Sequence, residues 1–214
     1  MAARGETRQK MLVATIEVMR ERGAAGVTVD DVLARSGAPR GSVYHHFPAG
    51  RAQLIGEALD YAGESFTGMI ERAARNGADA VITRLVAFWT RVLEDSDFRA
   101  GCPVVPTAAD GGPEGEALAD KAALILTGWR STIAAAFQAE GWPPADADSL
   151  ATTCLASITG AIAFSRAARS IDPLFQVAEE LRFGVQSLVV GPTNRRRGYR
   201  LSAPCAAWPA RRRR

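Results

Sequence analysis

With 214 residues, 47% of them apolar and 23% charged, the chain is long enough for one large domain or two small ones around a real core. Three cysteines, odd in number and far apart, argue against a disulfide framework and fit a reducing cytoplasm; no secretion-type apolar stretch follows the first basic residues, and no apolar run is expected to span a bilayer. The net charge of +3 is unevenly spread: residues 1–60 hold 8 Lys+Arg against 7 Asp+Glu, 61–194 hold 10 against 16, and 195–214 hold 8 arginines and no acid, which suits contact with a polyanion at one end only.

Glu6 to Arg22 reads as a first helix, with Met11, Leu12, Thr15, Ile16 and Met19 on one face and Arg4 or Arg8 within reach of a phosphate. Gly23 and Gly26 end it. Thr28 then offers an N-cap oxygen, and Asp30 and Asp31 place negative charge in the first turn of a second helix. Val29, Val32 and Leu33 recur at i, i+3, i+4, and Ser36-Gly37 stops the helix. Pro39 suits the start of a third, short helix, expected over Arg40 to Phe47 and closed by Pro48. With Val43 and Phe47 turned inward, Arg40, Gly41, Ser42, Tyr44 and His45 face out. A guanidinium, a hydroxyl, a phenol and an imidazole can all bond to base edges or phosphates, none is acidic, and Gly41 allows close approach. Two short helices so arranged have helix-turn-helix geometry.

A long helix is expected from Ala49 to about Asn76, its apolar stripe running through Leu54, Ile55, Ala58, Leu59, Ala62, Phe66, Met69 and Ile70, with Gly56, Gly63 and Gly68 as weak points. Asp79 to Glu94 is apolar on more than one face and should be buried on most sides. Phe98 to Asp110 holds at most a short helix, because Gly101 and two prolines interrupt it. Pro113 and Glu114 open a helix to about Gln138. Phe66, Met69, Phe88, Trp89, Val104, Val105, Ile125 and Trp129 can line a pocket for a flat apolar or cationic compound, or can be ordinary core. Two more helices follow, about Asp146 to Arg169 and Asp172 to Val190. The first is crowded with small residues that let a neighbour come close, either to close the core or to form an interface. From Gly191 onward the chain has no apolar period and reads as a disordered basic tail, able to attract DNA in a salt-sensitive way or merely solvated.

The run Val27 to Ala34 followed by Ser36 to Phe47, extending to Arg51-Ala52-Gln53-Leu54, resembles the N-terminal domain of the TetR family of bacterial transcriptional repressors. Phe98 to Val105 is similar to a pattern of its LmrA- and YxaF-like subgroup. The resemblance implies an all-α fold, with a helix-turn-helix DNA-binding domain over 1–50, an effector-binding and dimerisation domain over 51–190 and a tail over 191–214. It implies a homodimer through the last two long helices, a double-stranded operator, and a small-molecule effector in an apolar pocket that the aromatic group above would line. The long helix would carry the pocket's state to the reading head. Arg51 resembles a position where the family places a phosphate contact, joining Thr28, Arg40, Gly41, Ser42, Tyr44 and His45 as expected DNA-binding residues.

Enzymatic chemistry finds no support. There is no GxGxxG, P-loop, HExxH or spaced carboxylate dyad, and both histidines lie in the reading helix. His45 and His46 are adjacent on a helix, should diverge, and have no Cys or carboxylate beside them, so neither metal nor cofactor is expected. Cys102 before Pro103 can sit at a helix N-terminus, where a thiol's pKa falls, or serve as a small packed residue. The competing expectation is an all-helical small-molecule carrier without specific DNA affinity.

Overall fold

The computed structural model describes residues 2–109 and 115–189, with side chains over 5–109 and 115–182. Among these residues there is no strand. The order is α1 (Ala2–Arg22), α2 (Val29–Ser36), α3 (Ser42–His46), α4 (Gly50–Ala74), α5 (Ala78–Asp95), α6 (Val104–Ala108), α7 (Glu116–Ala139), α8 (Pro144–Ala168) and α9 (Asp172–Val189). The expected helix opening at Pro113 and Glu114 and the tail from Gly191 lie outside the described residues.

Local signals set the N-terminal part. The Thr28 hydroxyl accepts from the Asp31 amide at 3.1 Å and donates to the Asp31 carboxylate at 2.7 Å, closing the first turn of α2. That second bond, above all, holds the Asp31 carboxyl below the usual carboxylate range. Gly37 ends α2 at φ 67°, a left-handed position where a Cβ would be strained, and its amide bonds the Leu33 carbonyl at 3.0 Å. Met11, Leu12, Ile16 and Met19 of α1, Val32 and Leu33 of α2, and Val43 and Phe47 around α3 are buried in one core, as their spacing requires.

α4 packs against α1 at one end and α5 and α7 along its length. Gly63 is a crossing point rather than a weak point. A Cβ there would meet the Ile125 side chain of α7 at 3.0–3.1 Å, and the Gly63 carbonyl accepts from Trp129 Nε1 at 3.3 Å. α5 buries Val81, Ile82, Leu85, Val86, Trp89 and Leu93 against α4, α7, α8 and α9, but leaves Thr83, Arg84 and Arg91 exposed, so it is less enclosed than its composition suggests.

α8 corrects the expectation that no apolar run could span a bilayer. By length and composition it could. Its place is in the bundle: Ala147, Ala151, Cys154, Ile158, Ala161, Ile162 and Ser165 are buried, α7 and α9 pack on it, and Asp148, Thr152 and Thr153 face out. The body also holds α1 by its backbone. In the loop before α6, the Gly101 amide donates to the Arg20 carbonyl at 2.8 Å.

Candidate nucleic-acid interface and ligand cavity

The reading surface begins in the turn before α3. The helix is shorter than expected, starting at Ser42, so Arg40 and Gly41 belong to a turn closed by the Ser42 amide on the Pro39 carbonyl at 2.9 Å. Val43 and Phe47 are fully buried, which fixes the rotation of α3 and turns Tyr44, 66% exposed, and His45 to solvent beside Arg40 and Gly41; Ser42 is half-buried. From Val32 to Gly56 the sequence has no Asp or Glu. The surface can therefore approach phosphates without a repelling charge of its own. The His45 and His46 rings meet edge-to-face with centroids 5.1 Å apart, closer than their expected divergence.

Three expected contacts stand differently. Arg51 donates through Nε to the Val27 carbonyl at 2.7 Å and through Nη2 to those of Ala24 and Ala25 at 2.7 and 3.1 Å. It clamps the start of α4 onto the α1–α2 connection, and the local carbonyls supply the negative partner expected of a phosphate. Arg8 pairs with Glu57 of α4 and lies 5.2 Å from the Phe47 ring centroid, so it too is turned inward. The Thr28 hydroxyl proton is committed to Asp31. The side chain of Arg4 lies outside the described residues. Arg51→Ala should cost about 2 kcal/mol by leaving these carbonyls without their charged donor. A fall of about 4–8 °C in Tm, measured by circular dichroism, is the expected readout.

Under α1, between α4, α5, α6 and α7, lies a cavity of about 320 Å³. Six of the eight expected residues line it: Phe66, Met69, Phe88, Trp89, Val104 and Trp129. Phe66 is its centre, with ring centroids 4.3 Å from Trp129, 5.4 Å from Phe88 and 5.9 Å from Trp89. Val105 and Ile125 do not line it. Val105 follows Val104 on the same short helix and points elsewhere, while Ile125 is packed over Gly63. The sequence reading missed the lining from α1, above all Ile16 and Arg20, and the arginines Arg72 and Arg84. Three guanidinium groups against the single carboxylate of Glu17 make this a poor place for a cationic ligand, contrary to the expectation raised by the aromatic walls alone.

Comparison with known proteins matches both parts of the chain. Residues 11–58 match the model of bacterial regulatory proteins of the tetR family, and residues 78–180 match that of the transcriptional regulator LmrA/YxaF-like C-terminal domain. An uncharacterised helix-turn-helix transcriptional regulator of Mycobacterium tuberculosis is 39% identical over 180 residues, spanning 82% of this chain and 92% of its own. The chain belongs to the TetR family of bacterial transcriptional regulators. Among solved structures, the regulatory protein TetR from Rhodobacter sphaeroides aligns with a TM-score of 0.70 at 23% identity, over 81% of this chain and 95% of its own. The TetR family regulator CifR, solved on 26-bp double-strand operator DNA, aligns with a TM-score of 0.68 at 23% identity, over 80% and 94%. These likenesses establish the fold. Membership of a family of DNA-binding transcriptional regulators displaces the carrier expectation, and regulators of this family are not enzymes.

Within this TetR-family body, Cys102 fits the packed alternative rather than the low-pKa one. Burial pushes its thiol above the ordinary cysteine value, outweighing the Val105 and Val104 amides of α6 that pull it down. Burial likewise pushes the Cys154 thiol up to about 12. Cys154 is buried and Cys102 half-buried beside Arg20, and neither thiol has the lowered pKa that favours a redox switch.

Proposed function

We propose that the protein is a homodimeric repressor that binds a palindromic operator through α3 and its preceding turn, and that an effector entering the cavity under α1 releases it. The observation that carries this is the pairing of fully buried Val43 and Phe47 with outward Arg40, Tyr44 and His45 in a stretch, Val32 to Gly56, free of acidic residues. Arg40 is assigned to a base edge, Ser42, Tyr44 and His45 to phosphates or sugars, and Gly41 to close approach. Thr28 stands nearby at the α2 N-terminus. Arg51 is assigned to holding the head, not to DNA.

Residues 1–50 form the reading head, 51–190 the effector-binding and dimerisation body, and 191–214 a basic tail. The dimer forms through α8 and α9. Phe164 on α8 is 71% exposed and Phe175 on α9 is 46% exposed, beside small exposed Ala156, Ala163 and Ala167. Large exposed aromatic side chains on two neighbouring helices have the character of an interface core, with the arginines of the groove bordered by Ala163 and Ala167 at its edge. As DNA is its partner, the protein works in the cytoplasm.

α4 is suited to transmit the effector's presence. Arg51, the Arg8–Glu57 pair and the 3.0 Å bond from Gln9 to the Tyr61 hydroxyl fix its first turns to the head, while Phe66 and Met69 lie farther along it in the cavity wall. A ligand that fits one tilt of α4 better than another shifts the spacing of the two heads, and it can shift it only by that difference in affinity.

Selection of bound duplexes from a randomised library by the full chain at physiological salt tests the reading. The expected product is a two-fold palindrome with half-site centres about one turn apart, ~34–36 Å, or a multiple of it. Enrichment of no palindrome overturns it.

A further inference from the structure

The cavity carries a charge that neither the fold nor DNA reading uses. Arg20 comes from the last turns of α1, and its guanidinium lies 5.6 Å from the Phe88 ring centroid. Its Nε is buried without a hydrogen-bond partner. Glu17, the one carboxylate in the lining, is exposed and leans toward Arg35 at 3.9 Å. Arg20 has no ion pair among the described residues. Desolvation, ahead of the opposing influence of Cys102 and Glu17, depresses its pKa, yet a guanidinium remains charged at neutral pH. A partly desolvated cation with a free donor, facing an aromatic space, is completed by an anion rather than by water or a neutral ring. Arg72 and Arg84, both exposed, stand at the rim and add to the positive potential.

We propose that the effector is a one- or two-ring aromatic carboxylate, its carboxylate held by Arg20 and its ring lodged among Phe66, Phe88, Trp89 and Trp129. This rests on the cavity being the effector site. The volume agrees: about 320 Å³ is roughly twice the ~150 Å³ apolar cavity that accepts a benzene. The walls agree as well. Four rings from α4, α5 and α7 favour a flat apolar body.

The placement of Arg20 gives this ligand a second route to the head. Arg20 sits on α1, which packs directly on α2, whereas the ring-binding residues belong to the body. The Arg20 carbonyl also takes the Gly101 amide just before α6, whose Val104 lines the same cavity. A carboxylate on Arg20 thus bridges head and body across one small molecule.

The test titrates the full chain with benzoate, 2-naphthoate and indole-3-carboxylate, each against its primary amide, by calorimetry and by quenching of tryptophan fluorescence. At least one acid should bind, and about tenfold or more tighter than its amide. That ratio should fall close to one in Arg20→Gln, be partly retained in Arg20→Lys, and change by less than roughly threefold in Arg72→Gln and Arg84→Gln. Thermal melts confirm that the variants are folded, and Arg20→Lys carries the comparison if Arg20→Gln is not. Amides binding as tightly as acids overturn the carboxylate while the cavity stands as the effector site. An acid preference unchanged in Arg20→Gln and Arg20→Lys overturns the role of Arg20. If no probe binds to a preparation that still binds its operator, the carboxylate class and the cavity reading both fail, with the DNA reading intact.

Discussion

Arg40→Ala should weaken operator binding by about 30-fold to 10⁴-fold while leaving the fold unchanged. The second half follows from exposure: Arg40 makes no described hydrogen bond or ion pair, and the turn that presents it is held by the Ser42 amide on Pro39. The first half follows from symmetry. A bidentate guanidinium on a base pair is worth about 1–3 kcal/mol, and a two-fold dimer loses it in both half-sites, so about 2–6 kcal/mol disappears at once. The pattern of loss identifies what Arg40 reads. If it holds a base, discrimination relaxes at one position in each half-site. If it holds a phosphate, all sequences weaken alike and the salt dependence becomes shallower, by about one counterion per half-site. Tyr44→Ala should cost less and uniformly, because a neutral phenol on a phosphate carries neither sequence information nor a counterion. Fluorescence anisotropy on operator and scrambled duplexes over a salt series measures all of this. Wild-type affinity in both variants would remove α3 as the reader.

How far the sequence reveals such a site depends on the length of the side chain concerned. The α2–turn–α3 unit was legible because short-range rules determine it: Thr28 caps, Gly37 takes the left-handed position, and Val43 and Phe47 lie four apart, so burying both fixes what faces out. Long basic side chains escape such rules. Arg51 and Arg8 read as surface cations, yet both reach partners distant in sequence, Val27 and Glu57. Arg20 was missed for the same reason. It follows Ile16 by one helical turn and so shares its stripe into the cavity, but a basic residue there reads as solvent-facing. The spacing of Val13, Ile16 and Arg20 carried the signal. Val105 and Ile125 show the opposite limit, since apolar character places a residue inside without saying which neighbour it meets. Ile125 faces α4 but packs over Gly63 instead of the cavity, because a missing side chain there leaves a hollow for it.

Phe164→Glu should convert the protein to a monomer and lower operator affinity by about a thousandfold or more. Phe164 is 71% exposed on α8. In the free chain the substitution is nearly neutral, as a charge at an exposed site remains in water. In the dimer it places two carboxylates near each other in an apolar contact, at a cost of several kcal/mol each. The effect on DNA is indirect. Specific affinities of about 10⁻⁸–10⁻¹¹ M are reached with two half-sites bound together, and one half-site supplies roughly half of that free energy. A lone head with its five-residue α3 therefore binds in the micromolar range or weaker. Sedimentation velocity reads the first effect and anisotropy the second, with helix content by circular dichroism as the check on folding. Phe164→Leu, apolar and smaller, should remain a dimer. If Phe164→Glu sediments as a dimer and binds its operator as before, the interface lies on another face, and the spacing of the two heads is set there and not by α8 and α9.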